Sequence, residues 1–335
     1  MAESTPSFQI VLDALQDAKK DFPKRYLPLF SDIAPLELKT LLDIWPRINL
    51  TRKLILLNGL LSLMDSDTLV SFEDIGMALL DDPEGDVRAC AIRLLAESDD
   101  PDLAESLIEI LKNDPDLDPR LEAAKLLGEF ILLGELEELD GDLHREAEEA
   151  LMAVVSGEEH ASLRKLALES VGYSSRVEVE TLIHTAFHRS DPTWVASALI
   201  AMGRSSDEQW SEDVVSMLIN EDPRIRLAAV QAAGDLRIED ARPIILSMLL
   251  EGEEDEDDVI AAGIWSLSQI GGEEARVFLT DMLDRTEDED VVGFIEDALE
   301  NLDLTDDLEK FDFLALDEDD LTEVDEVEDE IDEEE

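Results

Sequence analysis

The chain has 335 residues, with 86 acidic against 26 basic side chains and a formal net charge of −60. A surface this negative repels phosphate, which excludes nucleic-acid binding through a basic groove and argues against docking on an anionic membrane. Apolar residues reach 44%, enough to build a core, while aromatics are only 5% and Leu, Ala, Glu and Asp abound, so helix is favoured over sheet.

Taken in chain order, Met1 to Pro6 lacks the charged-then-apolar pattern of a secretory signal, and the expectation is a cytoplasmic protein. Residues 1–30 read as an N-terminal helical cap, with Phe8, Val11, Leu12 and Leu15 on one helical stripe. Lys19, Lys20, Lys24 and Arg25 form the one notable basic cluster and are expected to pair with the protein's own acids. Leu36 to Trp45 and Thr51 to Met64 look like a degenerate first helix pair. Leu54 to Met64 is the most apolar run, too short to span a bilayer.

From there a repeat organises the chain. Val87, Pro119, Leu163, Trp194, Ile225, Val259 and Val291 serve as anchors, spaced by 32, 44, 31, 31, 34 and 32 residues. Four residues after each anchor comes a small column: Ala91, Ala123, Ala167, Ala198, Ala229, Gly263 and, atypically, Ile295. Eight after it comes an apolar column: Leu95, Leu127, Val171, Met202, Ala233, Leu267, Leu299. Steps of four and eight share one helical face. Each such helix follows another amphipathic one, as at Ala241 to Leu250 and Ala275 to Leu283. Asp-Pro pairs at 82, 100, 114, 118, 191 and 222 read as helix starts. Gly172, Gly203, Gly234 and Gly271 read as left-handed helix ends. Cys90, the only cysteine, falls inside a repeat helix and reads as a small buried hydrophobe.

Asp222-Pro223-Arg224-Ile225-Arg226-Leu227-Ala228-Ala229 and the stretch Val259 to Gly272 resemble the HEAT-like repeats of the phycobilisome-lyase type. The resemblance covers residues 70–302. It implies an all-α, right-handed α-solenoid of about eight HEAT-like helix pairs, armadillo-like in kind. The expected organisation is a cap over 1–30, the repeat array over 31–302 and an acidic, largely disordered tail over 303–335. That tail holds nineteen acids and one Lys310. Its Phe311, Phe313 and Leu314 could dock on a partner or on the last repeat.

Between anchors Pro119 and Leu163 the spacing grows by about eleven residues around Phe130 to Asp142, read as a lengthened helix and turn. Gly252 to Asp258 reads as a solvated acidic turn. Arg88, Arg120, Arg164 and Arg226 each follow an anchor and are expected to pair with acids of adjacent repeats.

The search for chemistry is largely negative. His184 and His188 lie four apart and could chelate together, but a solvated pair is the expectation. The repeat resemblance also raises two enzyme classes. Deoxyhypusine hydroxylases hold two irons with His-Glu dipeptides, and no such dipeptide follows His144, His160, His184 or His188. Bilin lyases are the other class, and no residue set here predicts a tetrapyrrole site. No phosphate loop, nucleophile elbow or zinc spacing occurs. The expectation is therefore no catalytic residue, no metal ligand and no cofactor. The second helices of such arrays usually line the inner surface. There the variable positions read Tyr173, Ala196, Ile200, Leu227, Ala261 and Trp265, apolar beside dense charge. The reading is a non-catalytic scaffold or adaptor that binds a protein of basic or mixed surface, with salt adaptation as a rival source of the acidity. The oligomeric state stays open.

Overall fold

Amphipathic segments of seven to nineteen residues, separated by short turns, fold as helices, and the computed structural model contains no strand among its described residues. The structure describes residues 7–17, 19–250, 254 and 256–305; the docking residues Phe311, Phe313 and Leu314 lie outside them. The helices are α1 (Phe8–Gln16), α2 (Pro35–Ile44), α3 (Leu50–Met64), α4 (Glu73–Leu79), α5 (Gly85–Arg93), α6 (Pro101–Asn113), α7 (Leu117–Glu135), α8 (Gly141–Ser156) and α9 (Ala161–Val171). They continue with α10 (Val177–Phe187), α11 (Pro192–Arg204), α12 (Ser211–Met217), α13 (Pro223–Asp235), α14 (Arg242–Leu250), α15 (Asp257–Ile270) and α16 (Glu273–Arg285). A last helix, α17, covers 289–305.

The chain divides into two units, Met1–Ser175 and Arg176–Glu335. The helices after α1 fall into eight successive pairs, four in each unit. In the first unit the second helices α3, α5, α7 and α9 stack side by side, and α4, α6 and α8 cover them. In the second, α11, α13 and α15 stack in the same way under α10, α12 and α14. Each unit is thus a stretch of α-solenoid. The small column lies at the packed seam, where Ala91, Ala123, Ala167, Ala198, Ala229 and Ile295 are all buried. A Cβ on Gly263 would stand 3.2 Å from Leu249 of α14, so the missing methyl admits that helix.

The segment before α2 is tied down. Val11, Leu12 and Leu15 of α1 are buried, and Phe8 meets Phe30 edge to face at 5.6 Å. The Arg52 guanidinium of α3 donates to the carbonyls of Asp17 and Lys20. Lys20 itself lies 3.8 Å from Asp17.

Two local expectations need correction. Asp100, Asp191 and Asp222 do cap α6, α11 and α13, each accepting from the N–H two residues on. The other three Asp-Pro pairs do not start helices. Asp82 is buried, accepting from Trp45 Nε1 at 2.7 Å and Lys53 Nζ at 2.9 Å. Asp114 caps the end of α6, and Asp118 lies inside α7. Of the four glycines, only Gly271 is left-handed, at φ +74°. Gly203 and Gly234 sit within α11 and α13. The left-handed turn residues are instead Ser206 and Arg237. Both glycines are close-approach points: a Cβ would stand 3.0 Å from Ala232 Cα at Gly203, and 2.9 Å from Ser266 Cα at Gly234. Helix packing, not turn geometry, requires them.

At the far end, α17 runs through Thr305, so residues 303–305, assigned above to the tail, are helical. Thr305 Oγ1 donates to Ser268 O and Asn301 Nδ2 to Ser268 Oγ, which fastens α17 to α15.

Candidate functional site

Three of the four arginines that follow an anchor, Arg88, Arg120 and Arg226, reach into the turn of the next repeat, because a long side chain at a helix start lies beside the loop of its neighbour. Arg88 donates to both Asp114 oxygens at 2.7 Å and to Asp116 at 2.9 Å. Arg226 grips Glu254 at 2.6 and 2.7 Å. Arg120 pairs with Glu159 and donates to the Leu111 carbonyl, and Arg164 donates twice to the Val155 carbonyl. The ladder is therefore engaged with the protein's own acids and carbonyls. Glu254 is buried in that grip, so this position of the acidic turn is a structural clamp, contrary to the solvated reading. Burial pushes the Asp114 carboxyl up. Hydrogen bonds from Arg88 and the Asp116 N–H, with the arginine charge, outweigh it and hold the group below the usual carboxylate range.

The six proposed contact residues divide between the units. Tyr173, just past α9, is half-buried in the first unit. In the second, Ala196 and Ile200 on α11 and Leu227 on α13 are half-buried, while Ala261 and Trp265 on α15 are exposed. The contacts of Gly203 with Ala232, and of Gly234 with Ser266, set the register between these helices. By distance from their anchors, Ala196, Leu227 and Ala261 are equivalent positions on these helices, an apolar row. One turn further along, the exposed Gln231 falls between Ile200 and Trp265, so this second row is mixed. Trp265 is 39% exposed and stacks on Phe294 of α17, centroids 6.4 Å apart. Beyond it, burial pushes the Asp235 carboxyl up, against the hydrogen bond from Gln269 and the charge of Arg204.

Sequence reasoning missed the corresponding face of the first unit. There α3, α5 and α7 form a groove of about 640 Å³. Leu61, Met64, Ala96 and Leu133 contribute its apolar lining, and Arg93, Glu97, Lys125 and Glu129 its charged lining. The signal lay six and ten residues after anchors Val87 and Pro119, where the variable positions are charged rather than apolar.

Burial raises the Cys90 thiol, against the charge of Arg93, so it is a poor nucleophile. A cavity of about 830 Å³ beside α6 and α8 is lined mainly by charged groups, three of whose basic members are ion-paired: Lys112 with Glu146, Arg120 with Glu159, and Arg145 with Asp142. The His184 and His188 rings stack at 4.3 Å, and His188 Nδ1 lies 3.0 Å from the His184 carbonyl oxygen. Stacked rings direct their in-plane nitrogens side by side rather than at one ion. Among the described residues, one set of potential metal ligands converges: Glu135, His144 and Glu148, whose ligand atoms lie within 4.8 Å of one another.

Residues 74–141 and 211–300 match the HEAT-repeat family. With the paired helices and their stacked second helices, the chain is a HEAT-like repeat helical protein. Among solved structures it is similar to the YibA protein of E. coli, at 16% identity over 73% of this chain and 96% of that one, TM-score 0.32. It is also similar to an engineered protein, at 16% identity over 89% and 99%, TM-score 0.33. No curated protein matches the chain. Repeat arrays of this kind supply extended surfaces that bind other proteins. No helix among the described residues is long and apolar enough to cross a membrane.

Proposed function

We propose that the protein is a non-catalytic, cytoplasmic interaction scaffold or adaptor, binding a protein partner on the second-helix face of α11, α13 and α15. The observation that supports this most is Trp265, a large aromatic left 39% exposed on a surface otherwise rich in acid. Tryptophan in such a setting is a frequent hot spot, and the apolar row Ala196, Leu227, Ala261 continues its surface. The net charge of −60 steers a partner with a basic or mixed surface. Tyr173 is assigned to the same role within the first unit. Phe311, Phe313 and Leu314 add a second docking element.

The test compares capture from the native host by the wild type and by a Trp265→Ala, Ile200→Ser double variant. The variant must first show an unchanged circular dichroism spectrum and melting temperature. The expected result is a stoichiometric protein partner whose affinity falls about 30-fold or more in the variant. Equal affinity in the folded variant removes this face from the proposal. A bound chromophore with no partner favours a lyase-like enzyme instead.

A further inference from the structure

We infer that Glu135, His144 and Glu148 form a binding site for a divalent transition-metal ion of the zinc class. The site is independent of the interaction face. It is built by the expanded repeat, where α7 extends to Glu135 and a five-residue turn leads into α8. His144 and Glu148 are one turn apart on α8 and so share a face, which looks towards the end of α7.

Three observations carry the inference. The first is an unmet need. His144 Nε2 is buried and makes no hydrogen bond; it stands 3.8 Å from Glu135 Oε1 and 3.8 Å from Glu148 Oε1, beyond hydrogen-bond reach of either. The second is spacing. An ion about 2.0–2.2 Å from each nitrogen and oxygen holds neighbouring ligands about 3–3.5 Å apart. The three groups therefore need to close by only a few tenths of an ångström around Nε2, with a somewhat larger movement between the carboxylates.

The third is support from behind. The Ser175 N–H and hydroxyl donate to Glu135 Oε1 at 3.0 and 3.2 Å, and the Ser174 hydroxyl donates to Glu148 Oε1. Outer hydrogen bonds of this sort orient carboxylate ligands. The imidazole lies against Gly134, where any Cβ would collide with its Cγ and Cδ2. Only glycine at that turn of α7 lets the ring reach its place.

The donor set suits the ion. One imidazole nitrogen and two carboxylate oxygens match zinc and its neighbours, and two negative charges neutralise a dication. The His144 and Glu135 side chains keep 17% and 25% exposure, which leaves a path from solvent and room for water as a further ligand. Diffuse attraction of cations to the other surface acids lacks the nitrogen donor, the burial and the fixed orientation.

The experiment uses the full chain, stripped with chelator, titrated with Co²⁺ and followed by its visible absorption, with Zn²⁺ as competitor. The wild type is expected to bind one Co²⁺ with an absorption band that Zn²⁺ abolishes. His144→Gln and Glu135→Gln, each checked by melting temperature without metal, should weaken that event at least about tenfold. Identical isotherms for wild type and a folded His144→Gln variant overturn the site. A wild-type measurement decides the matter even if a variant misfolds: of the four histidines, His144 alone should shift its imidazole ¹⁵N resonances with stoichiometric Zn²⁺. No shift at His144, or equal shifts at all four, also overturns the inference.

Discussion

The regular repeats and the expanded one treat buried charge differently. Around Arg88 and Arg226 the ladder arginine meets a buried carboxylate, Asp114 or Glu254, through paired charge-assisted hydrogen bonds. In the expanded repeat Arg120 meets Glu159, whose side chain is 38% exposed, while the buried carboxylate there, Glu148, faces His144. The lesson is that repeat length decides what a buried acid meets. A short turn within a helix pair delivers an acid back to the arginine of the preceding repeat. The inserted turn between α7 and α8 places the histidine at the start of α8 among acids.

The largest test of this contrast is Arg88→Ala. It should destabilise by about 3–5 kcal/mol in urea unfolding, because Asp114 is left buried without its counter-charge. The same pair makes a pH prediction. Asp114 titrates below its ordinary value when folded, so its stabilising contribution is complete above the unfolded pKa, about 3.9. The contribution is lost as pH falls through the folded value. The stability gap between wild type and Arg88→Ala should therefore narrow on acidification below about pH 4, and a gap that widens there contradicts the assignment.

Gly234→Ala comes next. Its Cβ would press on Ser266 backbone and force α13 and α15 apart, at about 1–3 kcal/mol. Gly141→Ala is the control, with nothing within 4 Å of the added methyl, and should leave stability unchanged or slightly raised. Equal losses at both glycines would mean that close approach is not the reason for Gly234. The smallest effect is expected for Arg120→Ala, at about 1 kcal/mol or less, since its partner is solvated. A loss as large as that of Arg88→Ala would erase the distinction between regular and expanded repeats.

Much of the fold was legible because a solenoid is local. Helix periodicity and the small column at Ala91, Ala123, Ala167, Ala198 and Ala229 are statements about near neighbours, and within each unit the second helices stack on those of the adjacent repeats. The ladder was legible for the same reason, since Arg88 and Arg226 reach acids 26 and 28 residues on. The glycine reading failed because chain position cannot separate a helix end from a helix-packing contact when the two are three residues apart. Gly203 and Gly234 became distinguishable only against Ala232 and Ser266. The metal ligands were missed because attention fell on His-Glu dipeptides and on the His184–His188 pair, whereas His144 and Glu148 are four apart and their third partner belongs to the preceding helix. An i, i+4 His–Glu pair beside an insertion was the available signal.

The sequence by itself determined the helix class, the pairing of helices, the acidic character and the arginine ladder, because these follow from periodicity and composition acting over one repeat. Only the tertiary structure decided which acids are buried, which glycines serve close helix contacts, and that Glu135, His144 and Glu148 converge. Those outcomes depend on the register of helices packed side by side and on the path of an inserted turn. Both are set by shape and close packing among side chains, which periodicity along one helix does not encode.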